Sequence, residues 1–152
     1  MSYQCELIDR PKQPVLSIRT RAAVQNLPAV LGQAYGAIMQ HAGQLGAQPV
    51  GAPFVAYYNM DMQDLDIEAG FPFAQTLAGQ GNIQAGQIPG GQAATCMHVG
   101  PYDQVGGAYE ALQKWLPANG REATGIYYEF YLNDPQQTPP EALQTQVVAP
   151  LK

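Results

Sequence analysis

The chain has 152 residues and a formal net charge of −5, and only 12% of its residues are charged. This length suits one compact domain, or two small halves packed closely together, with a real buried core. The seven Lys and Arg residues are scattered and form no basic stripe, which argues against direct nucleic-acid binding through phosphate contacts.

Membrane and metal sites are also not indicated. No apolar run approaches about 18 residues, and no basic segment precedes an apolar one at the N-terminus, so we expect a cytoplasmic protein without a membrane partner. Cys5 and Cys96 have neither CxxC spacing nor clustered histidines. We therefore expect reduced, buried thiols, no disulfide framework, no metal site and no cofactor.

Hydrophobic periodicity predicts alternating strands and two long amphipathic helices. Strands are predicted over 3–9, 15–22, 53–59, 65–73, 93–99, 126–132 and 143–151, and helices over 27–45 and 105–116. Asn26 is the expected N-cap of the first helix, and Pro117 is expected to stop the second. The Gln- and Gly-rich stretch 74–91 is expected to be a connector, either a flexible linker or a loop over a groove.

The two halves of the chain carry the same order of elements. A shift of 74 residues aligns Gly32 with Gly106, Ala34 with Ala108, Tyr35 with Tyr109, Tyr57 with Tyr131 and Asn59 with Asn133. We therefore predict an α+β fold that duplicates a strand–helix–strand–strand unit, with half-repeats at about 1–75 and 90–152 in a single domain, 1–152. The expected arrangement is two antiparallel sheets and two long helices, with a groove between pseudo-symmetric halves as the ligand site.

The aromatic strand around Glu129 is the strongest functional signal. Alternation puts Ile126, Tyr128, Phe130 and Leu132 on a core face, and Tyr127, Glu129 and Tyr131 on the other face. A glutamate among aromatic residues is costly to bury without a partner, so a cationic ligand, an internal donor or plain exposure must resolve that cost. Val55 occupies the equivalent position in the first half, so the chemistry of the two halves differs.

Several motifs of the chain resemble those of the GyrI-like small-molecule-binding family, which includes effector-binding domains of bacterial multidrug-responsive transcription activators. They are Tyr58-Asn59, Gly70-Phe71-Pro72, the run from Gly91 into Gly100-Pro101-Tyr102, Tyr128-Glu129-Phe130-Tyr131-Leu132-Asn133-Asp134-Pro135, and Pro150-Leu151. The resemblance covers nearly the whole chain. It implies the duplicated fold and a groove in which aromatic residues and a glutamate, here Glu129, receive lipophilic cations.

The resemblance also limits the set of roles. The sequence begins directly with the first strand and carries no helix-turn-helix segment, so we expect a stand-alone form and not a transcription factor in its own right. Some stand-alone members inhibit DNA gyrase or antagonise toxins, and others are similar to hydrolases of cyclopropane-bearing genotoxins. Gyrase or a separate regulator is therefore a candidate protein partner.

The candidate ligand-binding residues are aromatic apart from Glu129 and one methionine. They are Glu129, Tyr127, Tyr131, Tyr57, Trp115, Tyr109, Tyr102, Phe71 and Met97, with Phe73 as a further lining residue. Rings and a carboxylate together attract cations. Ordinary packing is the alternative for each ring, and for Trp115 it is favoured by the helical stripe that Trp115 shares with Leu112 and Leu116.

A possible catalytic histidine and a possible calcium-binding cluster both have simpler structural explanations. His98 could act as a base, with Cys96 on the same face of its strand, but a structural strand histidine is the simpler interpretation. The acidic residues Asp61, Asp64, Asp66 and Glu68 lack the glycine and terminal glutamate of an EF-hand loop and are expected to form a solvated hairpin tip.

Three functions follow, from different classes. The first is a binding module that senses or sequesters a lipophilic cation and is not an enzyme. The second is a hydrolase that uses Glu129 as general base on water. The third is a protein-interaction module of the gyrase-inhibitor type.

Overall fold

The structure is a computed structural model that describes residues 3–152, and within them it has an α+β fold with two helices and eight strands. Contacts divide the chain into two compact units. We name each unit after its helix, α1 (Leu27–Gln44) or α2 (Gly106–Ala118). The α1 unit is Pro11–Gly90, and the α2 unit combines residues 3–10 with Gly91–Lys152.

The α1 unit contains four strands that pair in antiparallel fashion in the order β3-β4-β2-β5. They are β2 (Gln13–Ala22), β3 (Phe54–Tyr57), β4 (Leu65–Pro72) and β5 (Gln84–Ile88). Strand β5 lies inside the stretch expected to be a connector. Its two glutamines, its alanine and its glycine do not favour a strand, and pairing with the backbone of β2 stabilises it instead.

Helix α1 packs on the strands of its unit through a stripe of small and branched residues. Ala34, Ile38 and Ala42 are buried on this stripe, at the four-residue spacing that keeps side chains on one helix face. The helix starts next to Asn26, whose side chain makes no capping hydrogen bond. It ends before Gly46, whose φ of +71° is the left-handed conformation that glycine adopts without strain.

The α2 unit contains the other four strands, which pair in antiparallel fashion in the order β1-β6-β8-β7. They are β1 (Cys5–Arg10), β6 (Gly91–Val99), β7 (Tyr127–Tyr131) and β8 (Gln144–Pro150). The N-terminal strand β1 thus pairs with β6, although the predicted half-repeats put residues 3–9 in the first half.

Helix α2 covers one face of these strands. Its buried residues Ala108, Leu112 and Leu116 form a core cluster with Ala94, Cys96 and Val147 of the strands. Pro117 lies inside the last turn of α2, one residue before the helix ends at Ala118, so it does not stop the helix as predicted.

The two units have matching internal strand orders. In each unit the strand before the helix, β2 or β6, lies between an edge strand and the last strand of the half-repeat, β4 or β8. The first strand after the helix, β3 or β7, pairs with that last strand. This match supports the predicted duplication, which stays a prediction, as does the arrangement of two sheets about a groove. Neither helix is long and apolar enough to cross a membrane, as judged over residues 3–152.

Candidate ligand-binding site

Glu129 lies in the middle of β7 and is buried, with 7% of its surface exposed. Two phenolic hydroxyls donate to its carboxylate: Tyr109 of α2 to Oε2 at 2.5 Å and Tyr131 of β7 to Oε1 at 2.9 Å. Among residues 3–152, no Lys or Arg side chain forms an ion pair with it. Neutral donors therefore satisfy the carboxylate, and no Lys or Arg of residues 3–152 pairs with its charge.

The face of β7 that carries Glu129 is the face that helix α2 covers. Glu129 and Cys96 both lie directly opposite Val147 of β8, and direct cross-strand partners share a face. Cys96 and Val147 belong to the core cluster under α2. The sequence analysis predicted that the other face of β7, which carries Tyr128 and Phe130, is the core face.

That opposite face is buried at Tyr128 and Phe130, as predicted. Leu132, predicted to share it, is 40% exposed because the strand ends at Tyr131. Ile126 is half-buried and precedes the strand. Both faces of β7 are therefore covered at its centre, which explains why a glutamate there is withdrawn from solvent.

Burial raises the pKa of Glu129 above its ordinary value. Withdrawal of the carboxylate from water is the larger cause, because it disfavours the charged form. The hydrogen bonds from Tyr109 and Tyr131 act in the other direction and lower the pKa, as does the positive charge of His98 whenever its ring is protonated. The net result is a carboxyl group that keeps its proton to a higher pH than an exposed glutamate does.

Tyrosine rings surround the carboxylate on two sides. The Tyr109 ring meets Tyr127 edge to face, with centroids 5.2 Å apart. The Tyr131 ring meets Tyr102 in the same way at 5.3 Å. Tyr102 is 36% exposed, so aromatic surface runs from solvent through Tyr131 to Glu129.

His98 lies on the same face of β6 as Cys96, and it is 2% exposed. Its Nδ1 is 3.0 Å from the hydroxyl of Tyr3, and its Nε2 is 2.9 Å from the carbonyl oxygen of Pro101. Since the carbonyl can only accept, Nε2 carries a proton, and the neutral ring accepts from Tyr3 at Nδ1. Tyr3 lies 95 positions away in sequence, and no sequence signal pointed to this contact.

The equivalent positions in the α1 unit carry different chemistry. Tyr35, aligned with Tyr109, donates its hydroxyl to the backbone carbonyl of Phe54 at 2.9 Å. Val55, aligned with Glu129, is fully buried. The helix tyrosine thus donates a hydrogen bond to a carboxylate in the α2 unit and to a main-chain carbonyl oxygen in the α1 unit.

The remaining candidate residues make other contacts. Trp115 packs partly buried against the core cluster of α2, in agreement with ordinary packing. Tyr57 is buried in β3 of the α1 unit, where Phe73 is also buried and Phe71 meets the Tyr35 ring at 5.2 Å. Met97 lies opposite Gln146, on the face of its strand away from Glu129, and is 40% exposed.

Comparison with known proteins identifies the family. The model of the GyrI-like small molecule binding domain matches residues 3–152. The chain belongs to the GyrI-like family. No curated protein sequence matches it significantly.

Solved structures share this GyrI-like fold. The chain is similar to EcmrR in a complex with DNA, at 24% identity and a TM-score of 0.86 over 99% of its length, and it spans 57% of that EcmrR chain. The isolated EcmrR C-terminal domain is matched at 23% identity and a TM-score of 0.79, over 100% of this chain and 99% of that one.

Two further structures are similar at lower identity. A hydrolase from Listeria innocua has 16% identity and a TM-score of 0.68, over 98% of this chain and 92% of that one. SAV2435, bound to tetraphenylphosphonium, has 11% identity and a TM-score of 0.66, over 100% of this chain and 94% of that one. At these identities the likeness shows the fold alone.

The acidic hairpin of this GyrI-like domain is held by ion pairs and hydroxyl donors. Arg19 pairs with Asp66 at 2.7 Å, and Arg21 pairs with Asp64 at 3.0 Å. Glu68, expected to be solvated, accepts hydrogen bonds of 2.5 Å from Ser17 and from Tyr58. Within residues 3–152 no three His, Cys, Asp or Glu side chains are placed to hold a metal ion.

A cavity of about 480 Å³ lies elsewhere in the α2 unit of the GyrI-like domain. It is lined by residues of β1, β6 and β8, Met97 and Gln146 among them, and Glu129 is not one of its lining residues. We place the candidate site at Glu129, because the chemistry of a buried carboxylate among phenols is more specific than open volume.

Proposed function

We propose that this GyrI-like domain binds a lipophilic organic cation, with Glu129 as the counter-charge and Tyr109, Tyr127 and Tyr131 as its aromatic surroundings. The single observation that carries the proposal is the buried carboxylate of Glu129, which is held by two phenolic donors and by no Lys or Arg of residues 3–152. A cation placed beside it gains a strong attraction, because the site is largely dry.

The surrounding rings support the lipophilic part of the proposal. Ring faces attract cations and ring surfaces are apolar, so an aromatic cation gains both contacts at once. Tyr102 and Tyr131 form the aromatic path from solvent toward the carboxylate. The tetraphenylphosphonium in SAV2435 makes that ion a reasonable first probe for this chain.

Calorimetric titration with tetraphenylphosphonium tests the proposal. Glu129→Gln keeps the size of the side chain and removes its charge, so the dissociation constant is expected to rise at least about tenfold. Glu68→Gln is the matched control, since Glu68 also accepts two hydroxyl hydrogen bonds but lies in the α1 unit. That control is expected to bind with unchanged affinity.

Neutral triphenylphosphine oxide separates the contribution of charge from that of shape. We expect wild type to bind it at least about tenfold more weakly than the cation. Equal affinity for the two probes, or equal affinity of wild type and Glu129→Gln for tetraphenylphosphonium, would overturn the proposal.

The raised pKa of Glu129 supports a second candidate, hydrolysis of an electrophilic small molecule. A general base works best when its pKa approaches the working pH, and burial moves Glu129 in that direction. Incubation with a strained cyclopropane electrophile, followed by mass analysis of the products, tests this candidate. Product formation by wild type that disappears in Glu129→Gln would establish turnover, and an unchanged substrate would exclude it. The gyrase-type interaction stays a prediction.

A further inference from the structure

The two cysteines, 91 positions apart in sequence (96 − 5), are direct neighbours in the fold. Cys5 of β1 and Cys96 of β6 face each other in the antiparallel register. Direct partners in such a pair have Cα atoms about 4.5 to 5.5 Å apart, which lies within the range that a disulfide spans. Both are free thiols in the structure.

The two thiols also touch on the face that helix α2 covers. Cys96 belongs to the core cluster, and Cys5 packs against it. Burial, the neighbouring Cys5 thiol and the hydrogen bond between the two sulfurs raise the pKa of Cys96 to about 12. Cys96 is therefore protonated at neutral pH and protected from direct attack by reagents in solution.

Cys5 differs from Cys96 in access. It is half-buried, on the strand at the edge of the α2 unit, whereas Cys96 is 1% exposed. A small oxidant therefore reaches Cys5 first. Cys96 lies next to Cys5 and can react with the oxidised sulfur of Cys5. Cys5 would thus be the cysteine that the oxidant modifies, and Cys96 the resolving cysteine.

We propose that Cys5 and Cys96 form a modification site, a dithiol that a hydroperoxide converts into an intramolecular disulfide. The Cys5 sulfur attacks the outer oxygen of the hydroperoxide, the O–O bond breaks, and the departing alkoxide takes the Cys5 thiol proton to leave as the alcohol, which gives the sulfenic acid of Cys5. The Cys96 sulfur then forms the S–S bond and displaces hydroxide, which leaves as water with the Cys96 proton.

The reaction balances as two thiols and one hydroperoxide giving one disulfide, one alcohol and one water. The sulfurs are oxidised and the peroxide is reduced. The new bond joins β1 to β6 across an interval that contains the whole α1 unit. Because such a long closed loop restricts the unfolded chain, the oxidised protein is expected to have a higher melting temperature.

The disulfide would also lie in the same cross-strand row as Glu129 of the candidate site. Cys5, Cys96, Val147 and Glu129 occupy one cross-strand row of β1, β6, β8 and β7. The proposal concerns the thiols alone and does not depend on ligand binding at Glu129.

The test treats dilute wild-type protein with an equimolar amount of cumene hydroperoxide and measures its intact mass. We expect a loss of about 2 Da and, after unfolding, no thiol that reacts with N-ethylmaleimide, against two in untreated protein. Cys5→Ser and Cys96→Ser are the matched controls, and neither can lose this mass within one chain. Cys5→Ser, which keeps only the buried Cys96, is expected to be oxidised more slowly than Cys96→Ser.

Other outcomes in wild type would overturn the proposal. They are two alkylatable thiols after treatment, mass gains from added oxygen without mass loss, or disulfides only between chains. A melting temperature that rises by about 5 °C or more in the oxidised form, and returns after reduction, would support the cross-link between β1 and β6.

Discussion

The hydroxyl of Tyr109 lies 2.5 Å from Oε2 of Glu129 and joins helix α2 to the centre of β7. The tyrosine thereby stabilises the negative form of a buried carboxylate and opposes part of the rise in pKa that burial causes. The same pair would limit how far the carboxylate can reorient toward a ligand.

Tyr109→Phe removes that donor, and the free energy of unfolding at neutral pH is expected to fall by about 1.5 to 3 kcal/mol, as for a hydrogen bond to a charged group. The pKa of Glu129 is expected to rise further, because the Tyr109 hydrogen bond lowers it. Urea denaturation over a range of pH measures both effects.

The matched control for this variant is Tyr35→Phe, at the equivalent position of α1. It loses a hydrogen bond to a neutral carbonyl, worth about 0.5 to 1.5 kcal/mol, by the same amount at every pH. Identical pH profiles for the two variants would contradict the role assigned to Tyr109.

Glu129→Gln tests in which direction Glu129 makes the free energy of unfolding change with pH. Because the pKa of Glu129 is raised on folding, the folded protein holds its proton at a pH where the unfolded chain has lost it. The stability of wild type relative to Glu129→Gln is therefore highest below the ordinary glutamate pKa of about 4.3. It falls by up to about 1.4 kcal/mol per pH unit until the raised pKa is passed.

Denaturation curves of wild type and Glu129→Gln at matched pH values measure this difference. The difference is expected to stay constant above the raised pKa, where the carboxylate is fully charged in both states. A difference that does not change with pH, or that favours wild type as pH rises, would mean that Glu129 is not desolvated.

Gly107 is expected to tolerate no side chain. A Cβ at this position would lie 2.8 Å from the Tyr3 ring, which the hydrogen bond to His98 holds in place. Gly107→Ala is therefore expected to destabilise the fold by about 1 to 3 kcal/mol, in the range of an overpacked core. Thermal or urea unfolding measures the change.

Gly106→Ala is the control, one residue earlier in the same helix. Nothing lies within 4 Å of a Cβ there, so alanine fits, and because Gly106 is the first residue of α2 the stabilisation is expected to be smaller than the about 0.5 to 1 kcal/mol of an interior helix position. Stabilisation by both substitutions would show that the Tyr3 ring moves without cost.

NMR spectroscopy can determine the tautomers of the two histidines. His98 and His41 each place Nε2 against a carbonyl oxygen, so both neutral rings are expected to carry the proton on Nε2. Long-range ¹H–¹⁵N correlation spectra report which nitrogen is protonated. Tyr3→Phe is expected to shift the Nδ1 signal of His98 and to leave that of His41 unchanged. A protonated Nδ1 in neutral His98 would contradict the assigned hydrogen bonds.

The sequence predicted the local elements well because their signals are local. The apolar spacing predicted α1 and α2, and alternation predicted the strands apart from β5. It also predicted that Cys96 and His98 share a face, and that Glu129 lies on the same face as Tyr127 and Tyr131. Strand β5 was missed because its residues other than Ile88 carry little strand preference of their own, and its pairing with β2 depends on a backbone edge distant in sequence.

The periodicity of each element and the set of residues on each face could be predicted from the amino-acid order, since both follow from backbone geometry. Which face of β7 lies under helix α2 could not be predicted in this way, because packing between elements distant in sequence selects it. The same packing brings Tyr109 to Glu129, Tyr3 to His98 and Cys5 to Cys96. Each of these pairs joins segments separated by 20 or more positions, and only the assembled units bring them together.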